Sequence, residues 1–237
     1  MDSIFRSDRD PEPLSGDTVE VLARAEIDAW KAQNYKDMDG LKAAMTKVFM
    51  LLYGVEEEVA EEAASWLAIA AIEHDKAEEV EDAGEDSTAE WNGVRDTLSE
   101  MYEVLVSGMN AMGFIDLSDD LSVSQLAGQV ATHDAKRWRV HHIRNYDSLM
   151  EEMAQMYVLL FGVEYEDAYK LMKYVVSALR WHDLAEETGV AREIASYNQE
   201  GLFSIEQHCW NICIQNYKLH YAELANLLTL YSRNKNL

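Results

Sequence analysis

A short polar block occurs twice in this chain. His74-Asp75-Lys76-Ala77-Glu78-Glu79 returns in the second half as His182-Asp183-Leu184-Ala185-Glu186-Glu187. Imidazole beside carboxylate coordinates divalent metals or passes protons to and from a substrate. On a helix, residues four apart share a face, so His182 and Glu186 would lie one turn apart, with His74 and Glu78 likewise. Acids fill 44 of the 237 positions, so a His-Asp dipeptide alone is a weak signal. His133-Asp134 is a third such pair with no motif around it. Recurrence in register, with the same trailing glutamates, is what gives the two blocks weight.

Three other groupings could do chemistry. Lys136-Arg137-Trp138-Arg139-Val140-His141-His142-Ile143-Arg144 gathers four basic side chains and two histidines in nine positions. Guanidinium forks match phosphate geometry, so Arg137, Arg139 and Arg144 are candidate phosphate contacts. The plain alternative is a basic turn paired with the acidic first half. Cys209 and Cys213, four apart, could bind zinc with His208 or His220, although cysteines so placed on an apolar helix are more often packing residues. Finally, Glu58-x-x-Glu61 followed by Glu79-x-x-Asp82 matches the acidic spacing of all-α nucleotide pyrophosphatases, which bind magnesium through such carboxylates.

The stretch Ser177-Ala178-Leu179-Arg180-Trp181-His182-Asp183-Leu184-Ala185-Glu186 resembles the HD-domain metal-dependent phosphohydrolases, in particular their deoxynucleotidase branch. The resemblance covers only part of the second half. It implies an all-α fold in which an earlier histidine, the His-Asp pair and a late aspartate hold a divalent metal that activates water against a phosphate ester. His182 and Asp183 would then be metal ligands and Glu186 the catalytic acid or base. The earlier histidine would be His142, or its neighbour His141. The implied cofactor is Mn, Co, Mg or Zn, and the implied substrate a nucleotide or deoxynucleotide. The late aspartate has no obvious counterpart, since the last helix offers Glu206, Gln215 and Asn216. The first half has Gln33 and Asn34 where the second has His141 and His142, so it lacks the first ligand.

These residues must be positioned by helices. The only prolines are Pro11 and Pro13, and turns and sheet edges favour a residue that helix interiors exclude at about 3 kcal/mol. Residues Trp30–Asp82 align with Trp138–Val190 without a gap, and 17 of the 53 pairs are identical, including Trp30/Trp138 and Gly54/Gly162. The chain therefore reads as an internal duplication of a four-helix unit. Apolar residues recur at three and four in Leu41, Met45, Val48, Phe49, Leu52 and in Leu149, Met153, Met156, Tyr157, Leu160. Gly54 and Gly162 fit left-handed helix ends, each followed by a valine. The expected organisation is a disordered 1–16, a first repeat over 17–112, a linker over 113–122 and a second repeat over 123–237 that carries the HD-like site.

Charge divides between the repeats. Residues 1–120 hold 9 basic and 30 acidic side chains, and residues 121–237 hold 11 and 14, so the halves carry −21 and −3 of the total −24. Six of seven histidines and both cysteines lie in the second half. So acidic a chain repels nucleic-acid grooves. No apolar run is long enough for a membrane span, and the two cysteines suit a reducing compartment, so the cytoplasm is the expected location. Expected partners are a nucleotide if the protein is an enzyme and a basic protein if it is not, with a homodimer also open. Under the second reading the six acids of residues 78–86 form a face for a basic partner or imitate a nucleic-acid backbone.

Overall fold

The computed structural model describes residues 16–115, 117, 121–195 and 198–235. The fold is all-α. Among the described residues there are eight helices and no strand: α1 Gly16–Asn34, α2 Met38–Tyr53, α3 Glu57–Asp82, α4 Thr88–Ala111, α5 Val123–His142, α6 Tyr146–Phe161, α7 Tyr165–Ile194 and α8 Gln199–Lys235. The expected disorder of 1–16 falls almost wholly outside the described residues, as does part of the expected linker.

Local chemistry sets the same punctuation in each half. Lys36 and Arg144 take left-handed φ values of 55° and 54°, and the next residue caps the following helix. Asp37 accepts from the Gly40 amide at 2.9 Å, and Asn145 accepts from Ser148 at 3.3 Å. Gly54 and Gly162, at φ 67° and 62°, close α2 and α6, their amides bonded back to Met50 and Val158. Val55 and Val163 follow, both buried. α2 and α6 start at matching positions of the aligned halves, as do α3 and α7. α7 runs on past the second His-Asp block to Ile194, so Gly189 lies inside a helix.

Each helix packs against its chain neighbours, and α8 returns to pack against α1, closing a ring. The contact between α4 and α5 joins the halves on one side and that between α8 and α1 joins them on the other. One apolar core runs through both, with Leu22, Leu98, Leu126, Leu149, Leu160 and Leu224 fully buried. Ala60, Ala63, Ala64, Ala70 and Ala71 of α3 are also buried, and such small side chains let neighbouring helices approach closely.

This architecture removes one sequence-based expectation. Glu58, Glu61, Glu79 and Asp82 all lie on the single helix α3. At 1.5 Å per residue, Glu58 and Glu79 stand about 32 Å apart along it, so the two acidic pairs cannot share an ion.

Candidate metal centres at a shared cavity

Inside the ring lies a cavity of about 510 Å³, within the range of small-molecule sites. Its walls include His74, Glu78 and Asp82 from α3, His141 from α5, and His182 and Glu186 from α7. Asp82 is 72% exposed, so this end opens to solvent. The far end is lined by Tyr102, Asp134, Arg137, His220 and Tyr221 together with Glu26. Both His-Asp blocks thus face one space, and Glu78 of the first is close enough to raise the Glu186 carboxyl of the second.

In the second block, His141 Nε2 and His182 Nδ1 each lie 3.2 Å from Asp183 Oδ1. The Tyr146 hydroxyl donates to Asp183 Oδ2 at 2.5 Å. Burial would raise the Asp183 carboxyl, but these three partners outweigh it and hold the group well below the usual carboxylate range. Burial pushes the Tyr146 hydroxyl up to about 12, helped by Asp183. Glu186 Oε1 is 3.5 Å from His182 Nε2. Its carboxyl is raised, chiefly by burial, with the histidines pulling the other way. His141, His182 and Asp183 form a grouping that could hold a metal.

The first block is built similarly. His74 Nε2 is 3.0 Å from Glu78 Oε1, and Nδ1 is 3.7 Å from Asp75 Oδ1. Lys36 reaches Asp75 at 3.3 Å. Burial disfavours the His74 imidazolium, yet Asp75 and Glu78 raise the ring above its ordinary value. His74, Asp75 and Glu78 are the second grouping that could hold a metal.

The halves exchange side chains at both blocks. Trp138 of α5 packs edge to face on His74 at 4.9 Å, and Trp30 of α1 does the same to His182 at 4.5 Å. Trp91 and Trp210 add further edges, each at 5.5 Å. Asn34 Nδ2 lies 3.2 Å from His182 Nε2. Its counterpart in the second half, His142, reaches the other way: Nδ1 is 3.0 Å from Glu78 Oε1 and Nε2 is 3.1 Å from Asp82 Oδ1.

His142, the first-choice early ligand on sequence grounds, therefore stands in the first block, and it is His141 that joins His182 and Asp183. α5 explains the split. Successive helical residues point about 100° apart, so two adjacent histidines cannot both face α7. The first half does not lack a histidine partner either, because the second half lends it one.

The candidate phosphate contacts are already engaged. Arg137 is 2.6 Å from Asp134, a carboxylate that also accepts from the Tyr102 hydroxyl at 2.7 Å. Arg139 meets Glu81 at 2.7 Å and Arg144 meets Glu187 at 2.7 Å. Arg139 thus pairs with the acidic first half, and only Arg137 of the three lines the cavity.

Other candidates resolve as structure. Cys213 Sγ lies 3.3 Å from the Ala178 carbonyl, and both cysteines are buried. His220 meets the Tyr157 hydroxyl at 2.7 Å, and His208 packs near Trp181. Neither histidine joins the cysteines in a metal-capable grouping among the described residues. Glu206, a possible substitute for the late aspartate, is buried beside Arg192 at 3.2 Å. Asn216 bonds the Ile212 carbonyl within its own helix.

Sequence reading did not find Tyr146, Trp30 or Asn34. The tryptophans had a signal in their identity across the two aligned halves, whereas Tyr146 aligns with Met38 and Asn34 with His142. No family model, curated protein or solved structure matches this chain.

Proposed function

We propose that the protein is a metal-dependent phosphohydrolase acting on a nucleotide or deoxynucleotide, with its reaction centre at His141, His182 and Asp183 and with Glu186 as the proton-transfer residue. The observation that carries this reading is the convergence of two imidazoles on one ionised carboxylate at the open end of a nucleotide-sized cavity, with a raised carboxyl beside them. The donor set fits manganese, cobalt or zinc better than magnesium, which prefers all-oxygen surroundings. A divalent ion there would acidify a bound water and attract the phosphate oxygens.

The chain's own groups supply the rest. Tyr146 and the two histidines fix the Asp183 carboxylate in orientation. Glu186, raised by burial, is placed to take a proton from the attacking water or return one to the leaving oxygen. The aromatic and thioether walls, including Phe49, Tyr53, Met153 and Met156, suit a planar base. Acids outnumber Lys and Arg in the lining, with Glu26, Asp75, Glu78, Glu79, Asp82, Asp134 and Glu186 against Lys36 and Arg137. A bare phosphate would be repelled from such a wall, so anionic substrate and cationic cofactor are required together.

The basic-partner reading loses ground on the same contacts. Of the six acids in 78–86, Glu78, Glu81, Asp82 and Asp86 are already used by His74, His142, Arg139, Trp91 and Thr88.

The test is phosphate or pyrophosphate release from a panel of ribo- and deoxynucleoside mono- and triphosphates with manganese or cobalt. Release should fall by about 100-fold or more in Glu186→Gln, the scale of a lost general acid or base, and vanish in Asp183→Ala. No metal-dependent release by the wild-type chain from any of these nucleotides overturns the proposal.

A further inference from the structure

We propose that the first block is itself a metal centre, assembled across the two halves of the chain, with His74 and Glu78 of α3 and His142 of α5 as its ligands. Three observations converge. Glu78 Oε1 is approached at 3.0 Å both by His74 Nε2 and by His142 Nδ1, so two imidazoles from different helices address one carboxylate oxygen. His142 Nε2 has a second carboxylate, Asp82, at 3.1 Å, while His74 Nδ1 is buried without a hydrogen-bond partner, Asp75 standing 3.7 Å away. For His142 this is the arrangement in which an outer carboxylate fixes the tautomer and orientation of a metal-bound histidine. Third, His74 and Glu78 line the cavity, so three protein ligands would leave a coordination position open to a small molecule there.

The histidine itself is what separates this centre from its relative. Position 142 corresponds to position 34, and Asn34 occupies the matching place beside His182. Two imidazoles and a carboxylate select a first-row transition ion such as zinc or manganese over magnesium or calcium. Lys36 neutralises Asp75 rather than Glu78, leaving the ligand carboxylate free to take the ion.

This centre uses none of His141, His182 and Asp183, so its existence does not depend on the hydrolase reading. The experiment is metal content and binding by the full chain, loaded with zinc or manganese, dialysed, and measured by elemental analysis and titration calorimetry. Wild type should hold one ion at the first block, and a second where the His141, His182 and Asp183 centre is also filled. His142→Asn, which installs the residue found in the other half, and Glu78→Gln should each weaken one of the two sites by about 10- to 100-fold and spare the other. Asp183→Asn should weaken the opposite site. The cobalt-loaded protein adds a readout, since losing an imidazole changes the d–d spectrum of one ion. Circular dichroism confirms that each variant stays folded. Unchanged stoichiometry and affinity in both His142→Asn and Glu78→Gln, or a wild type whose only bound ion is lost in Asp183→Asn, would overturn the proposal and leave His142 as an ion-pairing residue. Loss of phosphate release with both ions retained would instead count against the hydrolase reading alone.

Discussion

Trp30 and His182 meet edge to face with ring centroids 4.5 Å apart, although one lies on α1 and the other on α7. The same contact is made by Trp138 and His74 at 4.9 Å. Each tryptophan therefore orients the histidine of the other half.

Trp30→Ala should destabilise the protein by about 3 kcal/mol in urea unfolding, the low end for a tryptophan truncation because the ring is only partly buried. It should shift the His182 ring resonances in NMR spectra and leave those of His74 in place. Trp138→Ala should do the reverse. Equal perturbation of both histidines by either variant would contradict the crossed arrangement.

Stability should carry a pH signature from His220. Burial lowers its pKa to about 3, with a Leu171 backbone contact acting in the opposite direction. The unfolded chain gains a proton here near pH 6.5, which the folded chain refuses until about pH 3. The contribution is thus complete above about pH 6.5 and shrinks by about 1.4 kcal/mol per unit as pH falls toward 3. His220→Gln should flatten the urea-midpoint profile between pH 7 and 5. Parallel profiles would show that His220 is not held neutral.

Arg137 is predicted to matter first to the fold. Asp134 is only 3% exposed at its side chain, and removing its guanidinium partner leaves a buried charge. Arg137→Met should cost about 3–5 kcal/mol in chemical denaturation, with much of it regained in Arg137→Met/Asp134→Asn. Additive losses in the double variant would mean the pair is not coupled.

Cys209 and Cys213 should be silent toward a thiol reagent such as dithionitrobenzoate in the native protein at pH 8. Both are almost completely buried, and burial pushes the Cys213 thiol up to about 12. Denaturant should release two titratable thiols. Fast native reaction would show that α8 opens locally.

Much of the fold was readable in the residues. Apolar spacing located the helices, and Gly54 and Gly162 ended them where left-handed caps were expected. That both His-Asp blocks line one cavity was not expected from the sequence, which pointed to a site in the second half alone. What linear order concealed was the crossing of the halves. His141 and His142 are adjacent in sequence, yet helical twist sends one to Asp183 and the other to Glu78. Tyr146 was hidden for a different reason: its role depends on the Asp183 oxygen it meets, and no spacing rule links a residue at the start of α6 to one deep in α7. The basic island was visible as a cluster, but the acids that occupy Arg139 and Arg144 arrive from α3 and α7.

The contact of α8 on α1 joins the halves on one side as that of α4 on α5 joins them on the other. A true symmetric dimer would be bound to carry the same residue at both equivalent positions. Joining the halves in one polypeptide lifts that constraint, so His142 can stand at one block while Asn34 stands at the other. The ring thereby frames two dissimilar sites, each free to acquire its own affinity.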